Sequence, residues 1–151
     1  MNSQALRKAS GYMDIVLDTN VWVAALRSKR GASRAVIDRV LDGELRMHLT
    51  VPLVLEYEDI LTRRRVEIDF RQEDVRQFVD LICAVGTPHE VHYLWRLQVP
   101  DPEDAHVFEA AVSSGCSHLV TFNKSDLEAA TQFEIQLVSP RELLRQLRSS
   151  A

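Results

Sequence analysis

The stretch Ile15-Val16-Leu17-Asp18-Thr19-Asn20 constrains this chain more than any other. An apolar run ends abruptly in a carboxylate, a hydroxyl and an amide, and a helical pattern follows. Such a run reads as a buried strand whose carboxyl end meets a helix, the edge at which open parallel sheets place their ligands. An Asp on that edge is withdrawn from bulk water, so a cation, hydrogen bonds or a helix N-terminus must compensate its charge. The plain structural alternative for Asp18 is a turn residue or N-cap.

The pattern that follows alternates strand and helix. Strand 14–18 precedes a helix from Thr19 or Asn20 to about Arg27. Ser33 is placed to cap a second helix with a Val36, Ile37, Val40, Leu41 stripe, ended by Gly43. Leu45, Met47, Leu49 and Val51 alternate with polar residues and predict a strand, and Pro52 opens a third helix. A fourth helix spans about 72–84. Val91 is the predicted start of a short strand, with Trp95, Leu97 and Val99 alternating after it. A fifth helix begins at Asp101, a strand covers His118 to Phe122, and a short helical turn follows. A last strand spans 134–138, and Ser139-Pro140-Arg141-Glu142 reads as a capping box that starts the terminal helix. This order predicts an α/β fold with a mostly parallel central sheet covered on both faces. Residues 1–12 read as a flexible polar extension and 13–151 as one domain of ordinary size.

Composition excludes several classes. Nothing approaches the run of about 18 apolar residues that a membrane span needs. No secretory h-region is visible, and cytoplasm is the expected compartment. Cys83 and Cys116 fall in apolar helical patterns and read as buried thiols rather than a disulfide framework. A net charge of −4 is wrong for a protein that coats phosphates, so any nucleic-acid chemistry must come from a local site. Carboxylates that recruit a metal suit an acidic chain, because the ion then faces the phosphate.

In a parallel sheet, residues just after each strand become neighbours. Asp18 and Asn20 follow the first strand, and Asn123 and Asp126 follow the strand at 118–122. On the fifth helix Asp104 falls within the Phe108, Ala111, Val112 stripe, whereas Glu103 and Glu109 point away. An inward carboxylate there is costly without a partner, although Asp101 as N-cap and Asp104 as a first-turn acid would satisfy helix capping alone. On the third helix Glu56 and Glu58 lie on opposite borders of the stripe, and periodicity does not choose between them.

Taken together, Val16-Leu17-Asp18-Thr19-Asn20-Val21, Leu55-Glu56-Tyr57, Asp101-Pro102-Glu103-Asp104-Ala105 and Val120-Thr121-Phe122-Asn123-Lys124 resemble the PIN-domain family, and in particular its toxin branch in prokaryotic toxin–antitoxin systems. The resemblance spans residues 14 to about 140. It implies a three-layer α/β/α nuclease fold, a Mg²⁺ or Mn²⁺ cofactor, an RNA substrate, an antitoxin protein as partner and the possibility of a homodimer. It assigns catalysis to Asp18, Glu56, Asp104 and Asn123, choosing Glu56 over Glu58. Asn123 stands where the family carries a fourth acid, and Asp126 is a nearby carboxylate able to replace it as a metal ligand. Thr19, Asn20, Asp101 and Thr121 fall on supporting positions. Hard divalent cations prefer oxygen donors of these kinds, and a metal makes water a competent nucleophile near neutral pH.

Other readings compete. Asn123 keeps alive a PIN-like module that binds RNA or protein without cleaving. A receiver- or phosphatase-like domain would use Asp18 as phosphoryl acceptor, but the phosphatase pattern wants an Asp where Asn20 stands. No glycine-rich phosphate loop is present. His89 and His92 lie in an irregular stretch, and His106 and His118 read as surface residues. Arg27, Lys29, Arg30 and Arg63 to Arg65 end helices, where cations are routine, with contact to RNA phosphate as the second reading.

Overall fold

The computed structural model describes residues 12–91 and 104–149. The elements are β1 (Met13–Leu17), α1 (Thr19–Arg27), α2 (Ala32–Leu41), β2 (Leu45–Leu49), α3 (Val51–Arg63), α4 (Gln72–Val85), β3 (Thr87–Pro88), α5 (Ala105–Ser114), β4 (His118–Val120), a 3-10 helix (Ser125–Phe133), β5 (Gln136–Val138) and α6 (Pro140–Ser149). The five strands form one sheet in the order β3-β2-β1-β4-β5, and every pairing is parallel. The expected "mostly parallel" sheet is wholly parallel over these strands. Helices cover both faces, giving three layers.

Local chemistry sets the element ends. Asp18 caps α1 through its side chain, and Thr50 caps α3 by accepting from Leu53 N, with Pro52 in the first turn. Ser139 and Glu142 form the expected capping box of α6, each side chain bonding the other's backbone N–H. Helix α5 stops at Gly115, whose φ of 62° is the left-handed C-cap that a side chain would resist.

The central strand is β1: Ile15 pairs with Met47 on one side and with His118 on the other. Its residues Ile15, Val16 and Leu17 are fully buried. Helix α5 packs on β1 and β2 and also against α3 and the 3-10 helix. Trp22 of α1 locks the helical layer. Its ring meets Tyr57 of α3 edge-on at 5.7 Å and Phe78 of α4 at 5.5 Å.

Several expectations are corrected here. Ser33 is not the cap of α2: the helix begins at Ala32 with Gly31 as N-cap, which leaves the Ser33 hydroxyl inside the first turn. Cys83 is exposed, because the buried face of α4 is Val75, Val79 and Ile82; Cys116 is buried as expected. Glu109 does not point to solvent. Packing against several elements at once buries α5 nearly all round, Glu109 included. His118 is buried too, held between Ser117 Oγ and Gln146 Oε1, each 2.7 Å from a ring nitrogen. The short turn after β4 is a nine-residue 3-10 helix with a kink at Leu127. Val91 itself is in no strand, the rest of the strand expected from it lies outside the described residues, and the described strand on that side is the two-residue β3. The N-terminal extension 1–11, the alternation through Trp95, Leu97 and Val99, His92, and the predicted N-cap Asp101 lie outside the described residues.

Candidate active site

Asp18 stands one residue past β1 and is 6% exposed. Its backbone N–H extends the ladder by donating to Val120 O at 2.9 Å, so the main chain beneath the carboxylate is fixed. Oδ1 accepts from Thr19 N at 2.8 Å and Oδ2 accepts from the Thr121 hydroxyl at 2.7 Å. Burial pushes its pKa up from the ordinary carboxylate value, and the bonds from Thr121 and Thr19 offset only part of that. No Lys, Arg or His pairs with Asp18 among the described residues.

Glu56 is brought to the same edge by α3. Its Oε2 accepts from the Thr19 hydroxyl at 3.2 Å. Thr19 therefore bonds both acids, Asp18 through its N–H and Glu56 through its Oγ1. Glu56 is half-buried while Glu58 is exposed, so the inner border of the stripe carries Glu56. Next to it, Tyr57 is fully buried and donates its hydroxyl to Leu17 O, immediately before Asp18. Burial raises the Tyr57 pKa out of the working range, and the negative charges of Asp18 and Glu56 add to the shift.

The β4 side contributes Thr121, fully buried, which accepts from Asn123 N at 2.9 Å while donating to Asp18. Asn123 is exposed just past that link, and Asp126 lies half-buried on the 3-10 helix. Asn20 is exposed on the first turn of α1. Asp104 heads α5 as its N-cap residue, without a side-chain cap bond. Two residues on, His106 lines a cavity of about 490 Å³ together with Glu56, Leu55 and Ile60 of α3, so the start of α5 and Glu56 share one end of the molecule. The structure thus joins Asp18, Thr19, Glu56, Thr121 and Asn123 in one hydrogen-bonded chain. Asp126 stands apart from that chain, and among the described residues no three acidic, His or Cys side chains form a group able to hold an ion.

One polar chain was missed from sequence. Asp14 Oδ1 lies 2.7 Å from His48 Nε2, and His48 Nδ1 lies 2.6 Å from His89 Nε2. The signal was available in strand register: Asp14 pairs with Arg46, and His48 is two residues further along the same side of β2.

By chemistry alone, the oxygens of Asp18 and Glu56 are donors of the kind a hard divalent cation prefers, and the buried Asp18 has no cationic partner among the described residues to offset its charge. Comparison with families matches a model described as PIN domain over residues 14–125, well over half of the chain. Comparison with curated proteins finds no match.

Proposed function

The chain belongs to the PIN-domain family, and from that premise we propose that it is a metal-dependent endoribonuclease, the toxin of a toxin–antitoxin pair. The observation that carries the reading is the double use of Thr19, which holds Asp18 and Glu56 to one point on the sheet edge. In this reading Asp18, Glu56 and Asp104 hold Mg²⁺ or Mn²⁺, with the Asn123 amide and Asp126 completing the set. When bound, the ion makes water more acidic and offsets charge building on the phosphate in an in-line displacement.

The chain's own residues prepare that chemistry. Thr121 and the Thr19 N–H each bond one oxygen of Asp18, which fixes the plane of its carboxylate. The Thr19 hydroxyl aims Glu56, and Tyr57 anchors the helix turn that carries it. Preorganised donors of this kind cost no reorganisation as charge develops. The oxygens of both acids are therefore oriented before substrate arrives. RNA as substrate, an antitoxin protein as inhibitor, assembly as a homodimer and action in the cytoplasm belong to the same proposal.

The test is cleavage of single-stranded RNA with Mg²⁺ or Mn²⁺. Loss of cleavage with chelator and with Asp18→Asn is the expected result; cleavage that survives both overturns the reading. A second reading, a PIN domain that binds without cutting, is favoured by the exposed amide of Asn123 at the fourth acidic position. RNA binding that needs no metal, with no cleavage under any metal, decides for it. Asn123→Asp tightens Mn²⁺ binding if Asn123 ligates the ion, and unchanged affinity removes it from the set.

A further inference from the structure

A second concavity, of about 460 Å³, opens between the end of α1, the starts of α2 and α6 and the residue after Thr121; Ser28, Gly31, Ser33, Phe122, Ser139 and Arg141 line it. Ser33 is 5% exposed, and its hydroxyl has no hydrogen bond among the described residues. The hydroxyl keeps its access to solvent through the cavity it borders and is an unused donor there. It is placed to donate to a ligand entering the cavity.

The surroundings say which kind. Helix α2 starts without any side-chain cap, so its first N–H groups have no side-chain acceptor. Space does not force this: a Cβ on Gly31 would meet only Ser28 atoms at 3.5 and 3.7 Å, ordinary contacts, and its φ of −79° suits any residue. Arg141 lies in the first turn of α6, at the positive end of the helix, where a cation is disfavoured unless an anion joins it. It is exposed and makes no ion pair among the described residues, while its neighbour Glu142 is already taken by Lys124 and by Ser139 N. Lys29 and Arg30, exposed in the turn between Ser28 and Gly31, are likewise unpaired there. Phe122 is 52% exposed beside the cavity, and next in sequence is Asn123.

We infer that this cavity is a phosphate subsite for the RNA strand, set along the sheet edge from the acidic site. The α2 N–H groups and the Ser33 hydroxyl donate to a phosphate oxygen, Arg141 supplies charge, and Phe122 stacks the adjoining base. The identity of the ligand rests on the ribonuclease reading; the anion-binding character rests on the cavity. A chain of net charge −4 needs such a local device to hold a polyanion.

The experiment is equilibrium binding of a fluorescein-labelled single-stranded RNA, about 12 nucleotides long, by anisotropy in EDTA across several salt concentrations. Arg141→Gln is expected to weaken binding about tenfold and to reduce the salt slope by about one. Ser33→Ala, which retains a good helix former, weakens it about threefold, and Phe122→Ala about tenfold, at the low end of what one stacked base contributes. Wild-type binding by both Arg141→Gln and Ser33→Ala overturns the subsite, as does a wild-type protein that does not bind the RNA. Binding with the expected dependence but no cleavage under Mg²⁺ or Mn²⁺ leaves the subsite standing and removes the nuclease reading. Cleavage by the wild type with both variants binding normally does the reverse.

Discussion

The phenol of Tyr57 donates to the main-chain carbonyl of Leu17, tying the inner face of α3 to the last residue of β1. Each partner is the sequence neighbour of a site acid, Glu56 beside Tyr57 and Asp18 after Leu17. One buried bond therefore sets how far apart two carboxylates stand on different elements. Tyr57→Phe keeps the packing against Trp22 but leaves the Leu17 carbonyl short of a donor. It should lower stability by about 1–3 kcal/mol in urea unfolding and slow RNA cleavage. Unchanged values for both would show that packing alone places α3.

Asp18 offers a test on stability. Its folded-state pKa is raised by burial. Between the ordinary and the raised value the native state holds a proton that the unfolded chain releases, so stability falls as pH rises through that window and stays lower above it. Asp18→Asn removes this cost. At neutral pH without metal, its Tm should rise by about 2–4 °C, the shift that 1 kcal/mol makes in a domain of this size. Mn²⁺ should raise the wild-type Tm and leave the variant's unmoved. A metal-free variant that melts lower would mean that its hydrogen bonds outweigh its buried charge.

Thr121 links the two halves of the site, donating to Asp18 and accepting from Asn123 N. Thr121→Val is nearly isosteric and deletes both bonds. The bond it removes is one that lowers the Asp18 pKa, so the acid limb of the pH–rate profile should move to higher pH while the maximal rate falls. An acid limb that stays in place would report some other group.

Much of this was legible in the sequence because short-range rules wrote it. The sharp end of the run at Leu17, the capping box at Ser139 and Glu142, and proline at Pro52 are local signals, and the structure follows them. Two of the misses have a common cause: burial by elements far along the chain. Glu109 and His118 look like surface residues by period, yet α5 and β4 are enclosed by several partners. Ser33 fails for a different reason. Any Ser before a helix pattern looks like a cap, and only the φ and ψ of Gly31 show that the helix begins a residue earlier. For the site, spacing supplied Asp18 and the resemblance chose Glu56, but the role of Thr19 as a shared donor depends on side-chain directions that no spacing encodes.

At α6, the Glu142 pKa is drawn down to about 2, chiefly by Lys124 and then by the Ser139 N–H. A depressed carboxylate stabilises the fold above its unfolded value and loses that contribution as pH falls through the folded one. Glu142→Gln should therefore lower the Tm at neutral pH. The gap from wild type should shrink below the ordinary value of 4.5 and close near pH 2. A gap independent of pH would assign the effect to helix propensity instead of charge.

The outermost strands of the described sheet are short, Thr87–Pro88 on one flank and Gln136–Val138 on the other. Two or three residues offer a neighbouring chain too few main-chain groups for stable pairing, and Pro88 has no N–H to give. The longest strands, β1 and β2, are sheltered inside. The described flanks of the sheet thus offer a second copy of this chain little to zip onto.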